Sequence, residues 1–546
     1  MAKVSDCDSD YMGSNPIAHP LIYLKYEKFY YSGKLALLVF TLNFTKKLNF
    51  LLYILTNSML NLWYNYILLI LGLVPIIASS CIVFIKHRNI KLIRNIALNS
   101  SLFTLLLASF LWIQFDSFFF KFQFITKIVL IPSLDVNIYL GLDGISLLFV
   151  YLTCFLFPLC ILFNWNNVKF MYKDYIILLL LMEAFLILTF TSLDLLMFYV
   201  FFETVLIPIF LIIGIWGPRR RRIRASLLLF FYTLFGSILM LFAILVINLQ
   251  VGSLDYQLLF LCNFSETKQK FLWLCFFLSF SAKIPMMPFH IWLPEAHVEA
   301  PTTGSVILAG ILLKLGSYGF LRFSIPLFPY ASVYFLPLVY TICIVSIIYS
   351  SLTAIRQSDL KKVIAYASVA HMNTIILGLF SLNIQGVEGS ILQMISHGIV
   401  SSALFFLVGI LYDRYHTRLL KYYGGVVQVM PVFISIFFLC IFANCSLPGT
   451  SNFIGEFCLF SGVIQDNLFV TIFGAFGIIL SGVYSLWLYN KLSFGNLKVQ
   501  HISKFVDITY REFHVLLPLL FLLILLGIYP NIILEKLHLI SLYYKI

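Results

Sequence analysis

The chain of 546 residues is 61% hydrophobic, only 11% charged, and carries a net charge of +13. A soluble domain exposes about a quarter charged residues to water, so this composition excludes one. Crossing a bilayer as a helix takes roughly 20 apolar residues. Such windows recur along the sequence, so the helices form one integral membrane domain rather than a globular core with a single anchor.

In chain order, hydrophobic runs predict helices at 64–86, 96–115, 140–164, 174–192, 193–216, 225–248 and 271–290, then at 301–322, 331–353, 361–381, 386–411, 431–450, 468–489 and 513–530. A short apolar piece, 453–464, follows the twelfth across a break. The expected fold is all-α and polytopic, with about fourteen transmembrane helices. The basic residues test that count. With the start of the first helix placed outside, the inside loops hold 21 Lys and Arg, including Lys361, Arg418 and the run Arg219–Arg222. The outside loops and tail hold only seven: Lys121, Lys127, Lys268, Lys270, Arg322, Lys536 and Lys545. That alternation is the positive-inside rule, and a wrong count in the middle would scramble it. The arginine run lies between two spanning helices, which favours an inner-face anchor near anionic lipid over nucleic-acid binding.

Residues 1–62 do not fit the pattern and add six lysines on the outside. They are expected to form an extension on the membrane core. They show neither the apolar core of a secretory signal nor the Arg-rich, acid-poor character of a transit peptide. The ten cysteines are scattered and form no CxxC pair, so no metal or Fe–S ligation and no disulfide framework is expected.

Polar residues inside these helices carry the functional argument. A charge at a helix centre costs about 2.5–3.5 kcal/mol on insertion scales. Such residues face a partner or a hydrated cavity. Glu203 lies in the middle of LMFYVFFETVLIPIFLIIGIW. Lys283 sits about a dozen residues into its helix, too deep to snorkel, and Pro285, Pro288 and Pro294 follow it. Prolines remove backbone donors and break the helix, and a break within hydrocarbon survives only beside other protein or water. An amine there is a titratable switch. Lys314 lies in TTGSVILAGILLKLGSYGF, where small residues allow close helix packing. Glu456 follows a second interruption, SLPGTSNFIGEF. Paired interrupted helices point to inverted repeats around an ion path, with 174–322 and 331–489 as the repeats. The remaining segments are 63–173, with the first three helices, and 490–546, with the last loop and helix.

His371 and His397 lie in apolar helices between Lys314 and Glu456 in chain order. A lone helical histidine is usually a satisfied core residue, but two in this position suit a relay, because histidine titrates near neutral pH. His290, Glu295, His297 and Glu299 follow the first break and either line a portal or form a solvated loop. Asp143 and Glu183 are further intramembrane candidates. The chain has no P-loop, no GxGxxG after a strand and no haem-ligand pattern. It is expected to bind no cofactor itself, and if protons move, the energy arrives from a partner.

The segments FYVFFETVLIP, KIPMMPFHIWLPEAHVEAPTTGSVILAGILLKLGSYG, RQSDLKKVIAYASVAHMN, SHGIVSSALFFLVGILYDR and LPGTSNFIGEF resemble the antiporter-like subunits of the mitochondrial NADH–ubiquinone oxidoreductase, respiratory complex I. YDRYHTR and SLWLYN point to the subunit-4 branch, most similar to the plant-type forms, from about residue 64 to the C-terminus. The resemblance implies a fourteen-helix proton-translocating module with two inverted five-helix repeats and broken helices seven and twelve. It implies that Glu203 and Lys283 form the ion pair of the first half-channel. Lys314 would connect the halves, His371 and His397 would relay, and Glu456 would be the terminal acid. It further implies FMN, Fe–S clusters and ubiquinone on partner subunits, neighbouring antiporter-like subunits as partners, lipids such as cardiolipin, and the mitochondrial inner membrane. The extension at 1–62 departs from the family pattern. Two other functions compete: a subunit of a multi-subunit Na⁺(K⁺)/H⁺ antiporter, which predicts cation-dependent transport without quinone chemistry, and a purely structural membrane subunit with static charge pairs.

Overall fold

The computed structural model describes residues 66–131, 136–498 and 505–542, within the unit Asn65–Ile546. The expected extension at 1–62 lies outside these residues. The helices run in the order α1 Tyr66–Phe84, α2 Ile90–Gln114, α3 Gly144–Phe163, α4 Tyr172–Thr191, α5 Leu195–Trp216 and α6 Arg222–Val251. The next, α7, is split into Glu266–Lys283 and Trp292–Glu299. Then come α8 Thr302–Leu327, α9 Leu336–Arg356, α10 Leu360–Leu379 and α11 Ile384–Tyr415. A second split helix, α12, runs Pro431–Asn444 and Ser451–Asp466. α13 Leu468–Ser493 and α14 Tyr510–Ile528 complete the spans. Twelve of these are long and apolar enough to cross a membrane. Counting each split helix as one further crossing is consistent with the fourteen expected.

Position in the bundle follows from what each helix hides. The most apolar windows of α8 and α11 are wholly buried, and those of α10 and α3 are 89% and 83% buried. The same windows of α2 and α14 are 33% buried and that of α6 is 39% buried. The residues that carry Lys314, His371 and His397 therefore form the centre, and α2, α6 and α14 face outward. On α6 the outward face is a stripe of Phe231, Phe235, Ile238 and Phe242, which in water would be an aggregation hazard and in lipid is neutral.

The structure corrects the sequence reading at three places. The predicted start of the third helix at 140 is instead the end of an antiparallel hairpin, β1 Gln123–Ile131 with β2 Val136–Leu142, paired through Ile128 and Ile138. Its β-branched residues favour strand over helix. The helix begins only at Gly144, where Asp143 caps it: Oδ1 accepts from the Ser146 N–H at 2.9 Å and Ser146 Oγ accepts from the Asp143 N–H at 2.9 Å.

Arg322, assigned to an outside loop, lies within α8 and is 3% exposed. Its Nη2 donates to Asp143 Oδ1 at 2.5 Å and its Nε donates to Tyr318 Oη at 3.2 Å. The helix continues to Leu327 because this pair makes the arginine admissible there. Lastly, a terminal helix, α15 Asn531–Ser541, was not foreseen. Lys536 Nζ donates to the Phe115 carbonyl at 2.9 Å, and Glu388 takes His538 at 2.9 Å and Ser541 at 2.6 Å.

Removing one partner of a buried pair leaves an uncompensated charge, at a cost of about 3–5 kcal/mol. Asp143→Ala should therefore lower the thermal midpoint of the detergent-solubilised protein sharply, through loss of both the helix cap and the arginine's counter-charge. A midpoint equal to the parent's would contradict this role.

Candidate functional site

The site begins at a kink in α5. Pro208 lacks an N–H, and its ring crowds the carbonyl four residues back, that of Thr204. The helix divides there into Leu195–Thr204 and Leu206–Trp216. Glu203 stands at the division, and the Phe202 carbonyl is free to accept Lys283 Nζ at 2.8 Å. Lys283 is the last residue of the first half of α7. Its ammonium lies 3.6 Å from Glu203 Oε1, beyond a normal hydrogen bond but within ion-pair reach. The lysine side chain is 4% exposed and the glutamate 18%, so the acid has the freer surroundings.

The break after Lys283 is closed by protein, as the sequence requires. The Met287 N–H donates to Ser346 Oγ at 3.0 Å, and Trp292 Nε1 donates to the Ala282 carbonyl at 2.8 Å. A cavity of about 20 Å³ next to Lys283 is lined, apart from Thr233, by apolar side chains of α5, α6, α7 and α8. That space admits about one water.

Lys314 sits in α8 after a π-helical stretch, Leu308–Leu312, and before another, Phe320–Ser324. Single-turn π segments inside helices often mark functional sites. Lys314 has no exposed surface, and Nζ donates to the Ala309 carbonyl at 2.5 Å. Its other partner is His397 Nδ1, at 2.9 Å. The contact exists because α8 and α11 nearly touch. A Cβ on Gly398 would lie 3.0 Å from the Gly310 carbonyl and 3.7 Å from Lys314 Cε, so a larger residue would force the two helices apart.

From His397 the ring of His371 on α10 is 5.6 Å away, centroid to centroid. His371 Nδ1 faces Glu456 Oε1 at 3.1 Å, and its Nε2 faces Tyr484 Oη at 3.5 Å. Gln393, one turn before His397 on α11, donates from Nε2 to Glu456 Oε1 at 3.1 Å. Glu456 lies in the second half of α12, just past its break, and keeps Oε2 without a hydrogen-bond partner. Gly455 permits that approach: a Cβ there would lie 2.4 Å from Gln393 Oε1.

The six expected residues thus fall into two groups. Glu203 and Lys283 form one; Lys314, His397, His371 and Glu456 form a row in that spatial order. No hydrogen bond or ion pair joins Lys283 to Lys314 among the described residues. The residues after the first break prove to be tied in place rather than a solvated loop. Glu295 pairs with Lys362 at 3.4 Å, and Glu299 pairs with the buried Arg418 at 2.9 Å. Arg418 also donates to the Val298 carbonyl, placing a cation at the C-terminus of that half-helix, where the helix dipole favours it. His290 packs edge-on to Tyr349, and His297 stacks on Phe405. Glu183 is fully buried and bonds Thr104 Oγ1 at 2.6 Å, apart from the row.

Sequence reasoning missed Gln393 and Tyr484. Gln393 was within reach of it, since a polar residue four positions before His397 shares its helix face. Tyr484 carried no signal in a helix rich in aromatics. Among the described residues no three His, Cys, Asp or Glu side chains converge to hold a metal ion.

A bundle with two broken helices, a charged pair at the first break and a buried amine–imidazole–carboxylate row ending at the second has the architecture of the antiporter-like membrane subunits. Residues 192–482 match the family described as the NADH:quinone oxidoreductase/Mrp antiporter transmembrane region. A protein of Marchantia polymorpha named NADH-ubiquinone oxidoreductase chain 4 is 56% identical over 466 residues, covering 85% of this chain and 94% of its own. The protein of that name from Arabidopsis thaliana is likewise 56% identical over 466 residues, with the same coverage. The structure of respiratory complex I from Thermus thermophilus with bound NADH contains a chain that superposes with a TM-score of 0.80 at 28% identity, over 88% of this chain and 99% of that one. The chain belongs to the NADH-ubiquinone oxidoreductase chain 4 family.

Gly455→Val should push α12 off α11 and separate Glu456 from Gln393. The expected result is a protein that still inserts but has lost proton translocation. Gly455→Ala, a smaller intrusion, should be milder. Equal activity in both would show that the approach is not needed.

Proposed function

We propose that this chain translocates protons in the membrane arm of a respiratory NADH:ubiquinone oxidoreductase, in the mitochondrial inner membrane beside other antiporter-like subunits. FMN, the Fe–S clusters and ubiquinone belong to partner subunits, and electron transfer there supplies the energy. Lipids such as cardiolipin fill the outward-facing apolar surfaces. The observation that carries this reading is the row Lys314–His397–His371–Glu456. Its first link, at 2.9 Å, works in either direction: an ammonium can donate to Nδ1, or a protonated Nδ1 can donate to a neutral amine.

The mechanism is electrostatic gating. Opposite charges 3.6 Å apart in a low-dielectric site attract strongly, and that attraction falls as they part. When Glu203 moves toward Lys283, the ammonium form is favoured; when it moves away, the amine releases its proton. The kink at Pro208 and the looser surroundings of Glu203 give the acid room for that motion. A proton on Lys283 repels one on Lys314, so the first group sets the charge of the row without a continuous hydrogen-bond path between them. The row then passes its proton through His397 and His371 to Glu456, which exchanges it with the outside. The matching breaks of α7 and α12 support reading 174–322 and 331–489 as inverted repeats that place an ionisable residue at each break.

Blue-native electrophoresis of solubilised mitochondrial membranes, with an NADH dehydrogenase stain and mass spectrometry of the active band, tests the assembly. Peptides of this chain are expected in that band. Their absence, with the chain in a smaller inactive assembly, would favour a free cation/proton antiporter. Lys283→Met should leave the complex assembled but abolish proton pumping, whereas a normal proton stoichiometry in the assembled variant would sink the mechanism. An assembled but inactive Glu203→Gln complex would exclude a purely structural role for that pair.

A further inference from the structure

A cavity of about 430 Å³ opens among the basic loops of the inner face, and no step of the proton path uses it. Its walls carry three cations, Lys169, Arg222 and Lys361, against a single acid, Asp413. Asp413 Oδ2 is already engaged, accepting from Asn167 Nδ2 at 2.6 Å. Arg222 commits Nη1 to the Gly217 carbonyl at 2.7 Å, which leaves the rest of its guanidinium unbonded. The wall therefore has donors and positive charge in excess of what its own acid can accept.

Lys361 is the member of this wall that most needs a partner. It is 2% exposed, and Nζ makes one hydrogen bond, to the Ala300 carbonyl at 3.0 Å. An ammonium has three donors, so two remain. Lys361 forms no ion pair among the described residues. A buried charge without a counter-charge is costly. The bond to Ala300 holds this ammonium two residues before α8 begins at Thr302. Pro301 is the N-cap of α8 and supplies no side-chain bond. The first N–H groups of a helix lack intrahelical partners, and together with the helix dipole they attract anions. Thr302 lines the same cavity, is 6% exposed, and its hydroxyl bonds no other group among the described residues.

We infer that this cavity binds a phosphoryl group, held by the Lys361 ammonium, the Thr302 hydroxyl and the first N–H groups of α8, with the more exposed Arg222 and Lys169 completing the charge. Ammonium, hydroxyl and backbone N–H all donate, and a phosphoryl oxyanion accepts from several donors at once. A metal cation would meet three positive charges there. The group belongs either to an anionic phospholipid of the inner leaflet or to a soluble phosphate, and the basic run Arg219–Arg222, whose last member lines the cavity, attracts both. Once bound, it ties α8 to α10 through Thr302 and Lys361. Because α8 carries Lys314, the central helix of the row is then anchored at its inner end. The site takes no part in the proton path and stands whether or not that path conducts.

The test uses the chain in its native assembly, stripped of loosely held lipid in detergent, and two probes given separately. The first is phosphatidylcholine vesicles containing a phosphatidylglycerol with a photoreactive acyl chain. The second is inorganic phosphate, with chloride at the same ionic strength as the control. Crosslinked peptides from 164–170 or 215–222, read by mass spectrometry, report the lipid, and a rise in the thermal midpoint reports the free ion. The parent should respond to at least one probe. Lys361→Met should weaken that response about tenfold, as expected when a charge-assisted hydrogen bond is lost, and Thr302→Val should weaken it less. Lys361→Arg keeps the cation and should keep the response, which separates loss of the site from loss of folding. A response to the vesicles alone assigns the lipid headgroup, and a response to phosphate alone assigns the soluble ion. A parent that responds to neither probe would overturn the inference, as would equal responses in the parent, Lys361→Met and Thr302→Val.

Discussion

The structure depends on holding an amine in the centre of the bundle with no carboxylate bonded to it. Lys314 has given up all contact with water, and its partners are one carbonyl and one imidazole. Those contacts satisfy hydrogen-bonding capacity but do not neutralise a charge, and an isolated buried ammonium is costly in a low-dielectric medium. The field of the surrounding charges therefore bears directly on whether this side chain carries its proton. Asp143 and Arg322 are the contrast: a short bonded pair fixes both charges and serves to tie α8 to α3.

That constraint explains where the irregular backbone lies. In a regular α-helix each carbonyl already accepts one backbone bond, so a buried amine must share a carbonyl with it or find one at an irregularity. Lys283 bonds the Phe202 carbonyl beside the division of α5, and Lys314 bonds the Ala309 carbonyl in the π-helical stretch before it. The second break brings Glu456 to Gln393 and His371. The α7 break is sealed by Ser346 and Trp292, as the bilayer demands of a departure from helix. Glycines at 398 and 455 do the remaining work, letting helices close to distances at which short polar contacts form.

Much of this was legible in the sequence, for physical reasons. Long apolar runs leave little choice but spanning helices, and ionisable residues within them stand out because they are expensive. The prolines after Lys283 and the Pro-Gly before Glu456 announced the breaks. The spatial order Lys314, His397, His371, Glu456 was not legible, because chain order places His371 before His397 and only packing of α8 against α11 reverses them. The third helix was started at 140 rather than 144 because Leu140 and Leu142, which end the second strand, have the same hydropathy in either structure. Arg322 was read as a loop residue because its counter-charge, Asp143, lies 179 positions away.

Glu456 ends the row, and its substitution isolates the claim that the row conducts. The decisive measurement is the number of protons pumped per NADH oxidised by the assembled Glu456→Gln complex, compared with the parent under the same conditions. The account requires that number to fall while the complex still assembles and its partner subunits still reduce ubiquinone. An unchanged proton-to-electron ratio would contradict it, and Lys314, His397 and His371 would then have to be read as packing rather than as a path.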